Sequence, residues 1–350
     1  MDELAITISP LDQHAMARTR KRLDSLAKPP GSLGVLEEIA VRLAGITGDV
    51  IPSVDNKVIV IMAGDHGIAA EGVSSYPPDL TRLMVKTILG GGAAVNVLAR
   101  QAGARTLVVD MGVAGCIEHA GLLTRKIKCG TDNMLLGPAM SVEEAERAVK
   151  AGRDVAWSAI DQGADLIGTG EMGIGNTTSS SAILSVFSGF PPELVVGRGT
   201  GCDDERLQSK RELIRQVVEK HRPDPRNPME VLARVGGLEI AGLTGCILGA
   251  ASRRVPVVID GFISTAAALV ASRFEPRVKD YILASHLSEE TGHEIMLGML
   301  GVRPMLHMHM RLGEGTGAAL AFNLIDASIR ILQEMATLDE VLSLEEMLDV

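Results

Sequence analysis

The sequence predicts an α/β fold: a parallel, Rossmann-like sheet with helices on both faces, plus a small helical domain formed by the N- and C-terminal segments. Three observations predict it. Six short apolar runs are continuous rather than alternating, as in strands buried on both faces. Helical patterns separate most of these runs, which is how parallel strands are connected. The two ends of the chain, by contrast, carry helical patterns and no strand.

In chain order, residues 1–50 read as two helices around "LAKPPGSLG". "KVIVIMAGDHG" (57–67) is the first strand and 79–101 a helix; "TLVVDMG" (106–112) is the second strand, with a helix over 141–161. "ADLIGTG" (164–170) is the third strand. "ELVVGRGTG" (193–201) reads as a fourth, before a helix over 205–220. "VPVVIDGF" (255–262) and "YILASH" (281–286) complete the sheet, and "ALAFNLIDASIRILQEMATL" returns to helix. The expected division is a helical domain of 1–50 together with 322–350, and an α/β catalytic domain of 51–321. The runs end in Gly, Asp or His. Open parallel sheets bind ligands beyond the carboxyl ends of their strands, so the site is expected there.

Composition narrows the function. Aromatic residues are 2% of the 350, so the core must be aliphatic. A net charge of −10 without a basic stripe argues against nucleic acid as a partner. Four cysteines with no C-x-x-C pair read as reduced thiols of a cytoplasmic protein. "MDELAITISP" lacks the basic region of a signal peptide, and no apolar run reaches the roughly 18 residues of a membrane span.

The stretch "ADLIGTGEMGIGNTTSSSAIL" (164–184) places Gly168, Gly170 and Gly173 in the spacing G-x-G-x-x-G. One reading is the dinucleotide turn of an NAD-dependent dehydrogenase. Glu171 lies inside that fingerprint, where its carboxylate would repel a pyrophosphate. A single phosphate held at Gly173, Gly175, Asn176, Thr177 and Thr178 fits better, because the first amides of a helix attract an anion. A plain strand–turn–helix connection would use the same glycines.

In "RLGEGTGAALA" (311–321), Glu314 stands between Gly313 and Gly315 just before a helix. The helix dipole favours its ionised form, and the flanking glycines leave it accessible, which suits a general base. Asp65 and His66 at a strand end suit a metal site or an acid–base pair. His286, Ser288, His293, His307 and His309 add to that set. No zinc-ligand spacing appears, and hydrogen-bonded structural histidines are the commoner outcome. Asp260, also at a strand end, suits ribose hydroxyls or a helix cap. Lys210 suits a phosphate or a solvated surface.

"KPPGSLG", "AGDHG…EGVS", "GEMGIGNTTSS", "VGRGTG", "RVGGLEI", "DGFIS", "SHLSEE" and "RLGEGTGAAL" follow one another between residues 28 and 320. With these motifs the chain closely resembles the nicotinate-nucleotide:dimethylbenzimidazole phosphoribosyltransferases, the CobT family of cobalamin lower-ligand synthesis, over nearly its whole length. The resemblance implies a homodimer that moves phosphoribose from nicotinate mononucleotide to a benzimidazole-type base, giving an α-ribazole phosphate and nicotinate. It implies Glu314 as general base and Glu171 as a second carboxylate. Phosphate and ribose fall to the turn over 173–178 with Lys210, Asp260, Ser288 and Gly315, and the base to Tyr76, Met84, Asp65 and His66.

No cofactor or metal is expected, because backbone amides and Lys210 can hold the phosphate and no pyrophosphate leaves. The pyridinium departs as a neutral ring nitrogen without an acid catalyst, and displacement from the opposite face inverts C1′. One departure stands out. Family members carry a serine and a glutamine where this chain has Tyr76 and Met84, which implies a flatter, more apolar base pocket. Other benzimidazoles, adenine and phenolic compounds are alternative bases. A dehydrogenase and a non-catalytic nucleotide or base binder are the competing functions.

Overall fold

The computed structural model describes residues 6–199 and 201–348. The chain opens with α1 (Gln13–Ser25) and α2 (Val35–Thr47), then β1 (Lys57–Gly64), α3 (Leu80–Leu89), α4 (Ala94–Gln101), β2 (Arg105–Gly112) and β3 (Leu122–Thr124). α5 (Val142–Asp161), β4 (Leu166–Met172), α6 (Asn176–Ser188), α7 (Pro192–Val195), α8 (Asp204–His221), α9 (Pro228–Val235) and α10 (Leu238–Ser252) follow. β5 (Val257–Ile259), α11 (Phe262–Phe274), β6 (Ile282–Leu287), α12 (His293–Leu300), β7 (Pro304–His307), α13 (Thr316–Glu334) and α14 (Leu338–Leu348) complete it.

The strands form one parallel sheet in the order β3-β2-β1-β4-β5-β6-β7. Its central strands are buried throughout, as continuous apolar runs require; every residue of β1 is buried. Separate apolar cores lie on the two faces. In one, α5 and α10 meet backbone to backbone: a Cβ at Gly152 would overlap the Gly242 carbonyl, and one at Gly245 the Val149 carbonyl. Strand order reverses between β1 and β4, which opens a crevice at their carboxyl ends.

Several elements differ from expectation. The helix expected over 79–101 is two helices, α3 and α4, broken at Gly90, Gly91 and Gly92. Together they have the length and hydropathy of a membrane span. Val85, Ile88, Val95 and Ala99 nevertheless bury themselves in the core. No strand forms in the described part of 193–201. Pro192 starts the short helix α7 instead, and buried Val195 and Val196 join the core. A short apolar run reads alike in either conformation. β3 and β7 escape the sequence pattern because they are short edge strands with partly exposed residues.

The ends of the chain meet. Arg22 Nε donates to the Leu332 carbonyl at 2.7 Å, and the Ala27 amide to the Ala336 carbonyl at 2.9 Å. Leu23, Leu26, Ala40, Val41 and Leu332 bury a small cluster there. Ile39 and Leu43 of α2 also reach the sheet's own core. The expected boundary at 321/322 falls within α13, which runs from the sheet into this cluster.

Candidate active site

β4, β5 and β6 deliver their carboxyl ends to a cleft of about 300 Å³ lined by Glu171, Gly261 and His286. Glu171, on the last turn of β4, and Glu314, just before α13, both line it. The two segments touch. A Cβ at Gly170 would overlap the Glu314 carbonyl, and one at Gly313 would overlap Glu171 Oε1. Glycine at 170 and 313 is therefore what lets two carboxylate-bearing loops share one wall. Glu314 itself adopts φ +63°, a left-handed conformation that costs a non-glycine residue about 1 kcal/mol or more.

Asp260 supports that conformation from the end of β5. Its Oδ2 accepts from the Gly315 amide at 3.0 Å, and Oδ1 from the Gly317 and Ala318 amides at 2.6 and 3.2 Å. It thus caps α13 across the sheet, a cap from outside the helix's own sequence. Its carboxylate is occupied by these amides and lies behind the cleft wall.

The Glu314 carboxylate faces a helix end, but the helix is α4. Oε2 accepts from the Val95 amide at 3.4 Å. Burial outweighs this and raises the Glu314 pKa, with Asp260 adding to the rise. Glu171 is more strongly affected. Burial, then the neighbouring carboxylates of Asp260 and Glu239, push it up to about 8. Its Oε2 accepts from the Asn176 side-chain amide and its Oε1 from the Glu314 backbone amide.

β4 continues through Gly173 and Gly175, the latter at φ +97°, into α6. Gly173, Asn176 and Thr177 line the cleft. Gly175 and Thr178 lie behind them, with Thr178 fully buried. Lys210 of α8 is buried too, and its Nζ donates to Thr177 Oγ1 at 2.9 Å. Burial lowers its pKa, against the pull of Glu290 nearby. Ser288 lines the same end of the cleft, and its amide donates to His293 Nδ1 at 2.8 Å. Burial holds His293 down at about 3, so it stays neutral and accepts.

Tyr76 and Met84 also line the cleft, with Tyr76 half exposed. Asp65 and His66 do not line the cleft. Asp65 Oδ2 accepts from the Ala114 amide at 2.7 Å. His66 uses both ring nitrogens, on Ser179 Oγ at 3.0 Å and Glu239 Oε1 at 2.7 Å. The structure thus gathers eight of the fifteen residues implied by the resemblance around one cleft: Tyr76, Met84, Glu171, Gly173, Asn176, Thr177, Ser288 and Glu314; His286 lines it as well. Gly315 stands with Asp260 behind it.

Sequence reasoning missed the apolar lining from Leu80, Met172, Ile174, Phe262, Ile263 and Leu312, and the polar Glu290 and Arg311. Phe262 and Ile263 follow Asp260 directly in "DGFIS", so a strand-end argument applied to that whole motif would have found them. Among the described residues no group of three or more His, Cys, Asp or Glu is arranged to hold a metal ion.

Comparison with known proteins identifies the family and the fold. A family model described as phosphoribosyltransferase matches residues 8–341. The nicotinate-nucleotide--dimethylbenzimidazole phosphoribosyltransferase of Desulforamulus reducens is 52% identical over 345 residues, 97% of this chain and 98% of that protein. The enzyme of the same name from Geobacter sulfurreducens is 52% identical over 341 residues, 97% of each chain. The crystal structure of CobT from Thermus thermophilus superimposes with a TM-score of 0.90 at 47% identity, covering 94% of this chain and 98% of that one.

Proposed function

The chain belongs to the nicotinate-nucleotide:dimethylbenzimidazole phosphoribosyltransferase family, and from that premise we propose how its cleft carries out the reaction. The protein transfers phosphoribose from nicotinate mononucleotide to dimethylbenzimidazole. The observation that carries the assignment of roles is the shared wall of Glu171 and Glu314, beside the α6 N-terminus and the buried Lys210.

The phosphate lies at the first turn of α6, where the α6 dipole meets the Lys210 ammonium. The ribose spans the wall between that turn and Glu314. The base enters the apolar end, between Tyr76, Met84 and Phe262. The azole N–H loses its proton to the Glu314 carboxylate as the other ring nitrogen attacks C1′. The bond from C1′ to the pyridinium nitrogen breaks, and its electron pair returns to the ring. Nicotinate therefore leaves without an acid catalyst, and attack from the opposite face gives the α-anomer.

A base needs a pKa close to the working pH, and burial moves Glu314 in that direction. Glu171 holds the Glu314 backbone and carries a proton in the free protein at neutral pH. The cationic pyridinium and the ribose transition state favour its ionised form, so it answers positive charge as that charge arrives.

A homodimer in the cytoplasm completes the proposal. Exposed Leu83 and Val97, on α3 and α4, suit a subunit contact, and the cysteines are unpaired. The test is to incubate the protein with nicotinate mononucleotide and a panel of benzimidazoles, adenine and phenols. Nicotinate release and the anomeric form of each product are then read, with and without a chelator. We expect α-ribotides in both conditions. Release of nicotinate without a ribotide, β-products, or a strict magnesium requirement would each overturn the mechanism. Sedimentation at working concentration reads the dimer.

A further inference from the structure

His66, Ser179 and Glu239 form a hydrogen-bonded, buried set directly beneath the β4–α6 turn, with Glu239 Oε2 left without a partner. The His66 and Glu239 side chains are wholly shielded from solvent. Each member comes from a different element: His66 from just past β1, Ser179 from the first turns of α6, and Glu239 from the first turn of α10. The imidazole therefore ties together the N-termini of two helices.

Glycines make room for it on every side. A Cβ at Gly173 or Gly175 would lie 3.4 Å from the His66 side chain. A Cβ at Gly237 would overlap the ring outright, and one at Gly64 would lie 3.0 Å from Glu239 Oε2. Gly173 and Gly64 have no positive φ that would require glycine. A Cβ at Gly173 would also overlap the Gly64 carbonyl, while one at Gly64 would crowd Glu239 alone, so close approach explains both.

We propose that His66 is a positioning residue for the phosphate: it holds Ser179, and with it the first turn of α6, in register with the turn at Gly173 and Gly175. Nε2 faces the Glu239 carboxylate and donates to it. Nδ1 is then left for the Ser179 hydroxyl, accepting its proton when the ring is neutral and donating to its oxygen when the ring is charged. Either way the bond persists. Gly173, Asn176 and Thr177 line the cleft in this arrangement only while that turn keeps its place, and a displacement near 1 Å at such a site weakens binding markedly. The inference rests on the proposed phosphate site at the α6 N-terminus.

The test uses three single variants of the full chain and two readouts. Asparagine places a polar atom near the position of Nδ1, and glutamine near that of Nε2. Ser179→Ala and His66→Gln should weaken inorganic phosphate, measured by calorimetry, about tenfold, the size expected for one lost buried hydrogen bond. The KM for nicotinate mononucleotide should rise in parallel while kcat changes less than about threefold. His66→Asn should recover phosphate affinity even where its melting temperature falls, because Glu239 loses its partner. Unchanged phosphate affinity in Ser179→Ala, which deletes one oxygen atom and decides the matter if the His66 variants do not fold, overturns the proposal. So does an equal loss in His66→Asn and His66→Gln. A wild-type protein that binds phosphate but releases no nicotinate would instead count against the proposed function, leaving the phosphate comparison to decide this inference.

Discussion

The backbone amide of Glu314 donates to Oε1 of Glu171 at 3.4 Å, so the two carboxylate residues of the cleft are joined through main chain rather than side chain. Substituting one therefore acts on the other's geometry as well as removing a charge.

Glu314→Gln removes the proposed base while keeping shape. We expect kcat to fall about 10²- to 10⁴-fold, with the KM for nicotinate mononucleotide nearly unchanged. In the wild type, kcat should fall as pH drops through a pKa above the ordinary glutamate range, because burial raises Glu314. Steady-state kinetics across pH reads both effects.

Glu171 gives a stability signature. Its pKa is 4.5 in the reference state and about 8 when folded, so the folded protein holds this proton more tightly. The associated stability is fully present below about pH 4.5 and is lost as pH rises to about 8. Glu171→Gln cannot ionise. Its stability relative to wild type should increase between pH 6 and 9 by up to a few kcal/mol, about 1.4 kcal/mol per pKa unit. Urea unfolding of both proteins at the two pH values tests this, and a constant difference would contradict it.

Lys210→Met should separate stability from function. The buried ammonium is costly in the unliganded protein, as its lowered pKa indicates. An apolar side chain of similar length should leave the melting temperature equal or higher. The KM for nicotinate mononucleotide should rise about ten- to a hundredfold from loss of one charged hydrogen bond. A stable variant with unaltered KM would remove Lys210 from the phosphate site.

Asp260→Ala strips an acceptor from three amides at the start of α13. Stability should fall by about 2–4 kcal/mol. The residual folded protein should also turn over more slowly, because the strained conformation of Glu314 loses its support. Asp260→Asn, which keeps one acceptor oxygen, should fall between. Denaturant titration and active-site-normalised kcat read the two quantities.

Tyr76→Ser combined with Met84→Gln makes the apolar end of the cleft polar. Selectivity for dimethylbenzimidazole or a phenol over adenine should drop about tenfold, the scale at which a pocket reads a few apolar contacts. Competition between two bases in one reaction gives the ratio directly.

The sheet was legible because its central strands are continuous apolar runs, and β1 ends in the polar pair that marks its carboxyl end. The carboxylates were legible because glycines flank them: Gly170 next to Glu171, and Gly313 and Gly315 around Glu314. Asp260 was less so. Whether a strand-end aspartate meets a sugar or a distant helix depends on residues 315–318, more than fifty positions away. His66 was misleading for a similar reason. A histidine after a strand looks like a ligand until the glycines at 173, 175 and 237 are seen to enclose it. Apart from Phe262 and Ile263, the apolar lining gave no local signal, since Leu80 and Ile174 look like any core residue until the fold opens a cleft beside them.

The meeting of the two chain ends has a consequence for synthesis. α1 and α2 leave the ribosome before the sheet does, yet Leu332 and Ala336 that cover them are made after it. During translation the whole sheet can assemble while the amino-terminal helices still lack their partner. The last step of folding is then also the step that seats α13, and Glu314 lies at the head of that helix. A nascent chain stalled before residue 330 should hold a nearly complete sheet without a settled active site, so competence to react arrives only once α13 has emerged.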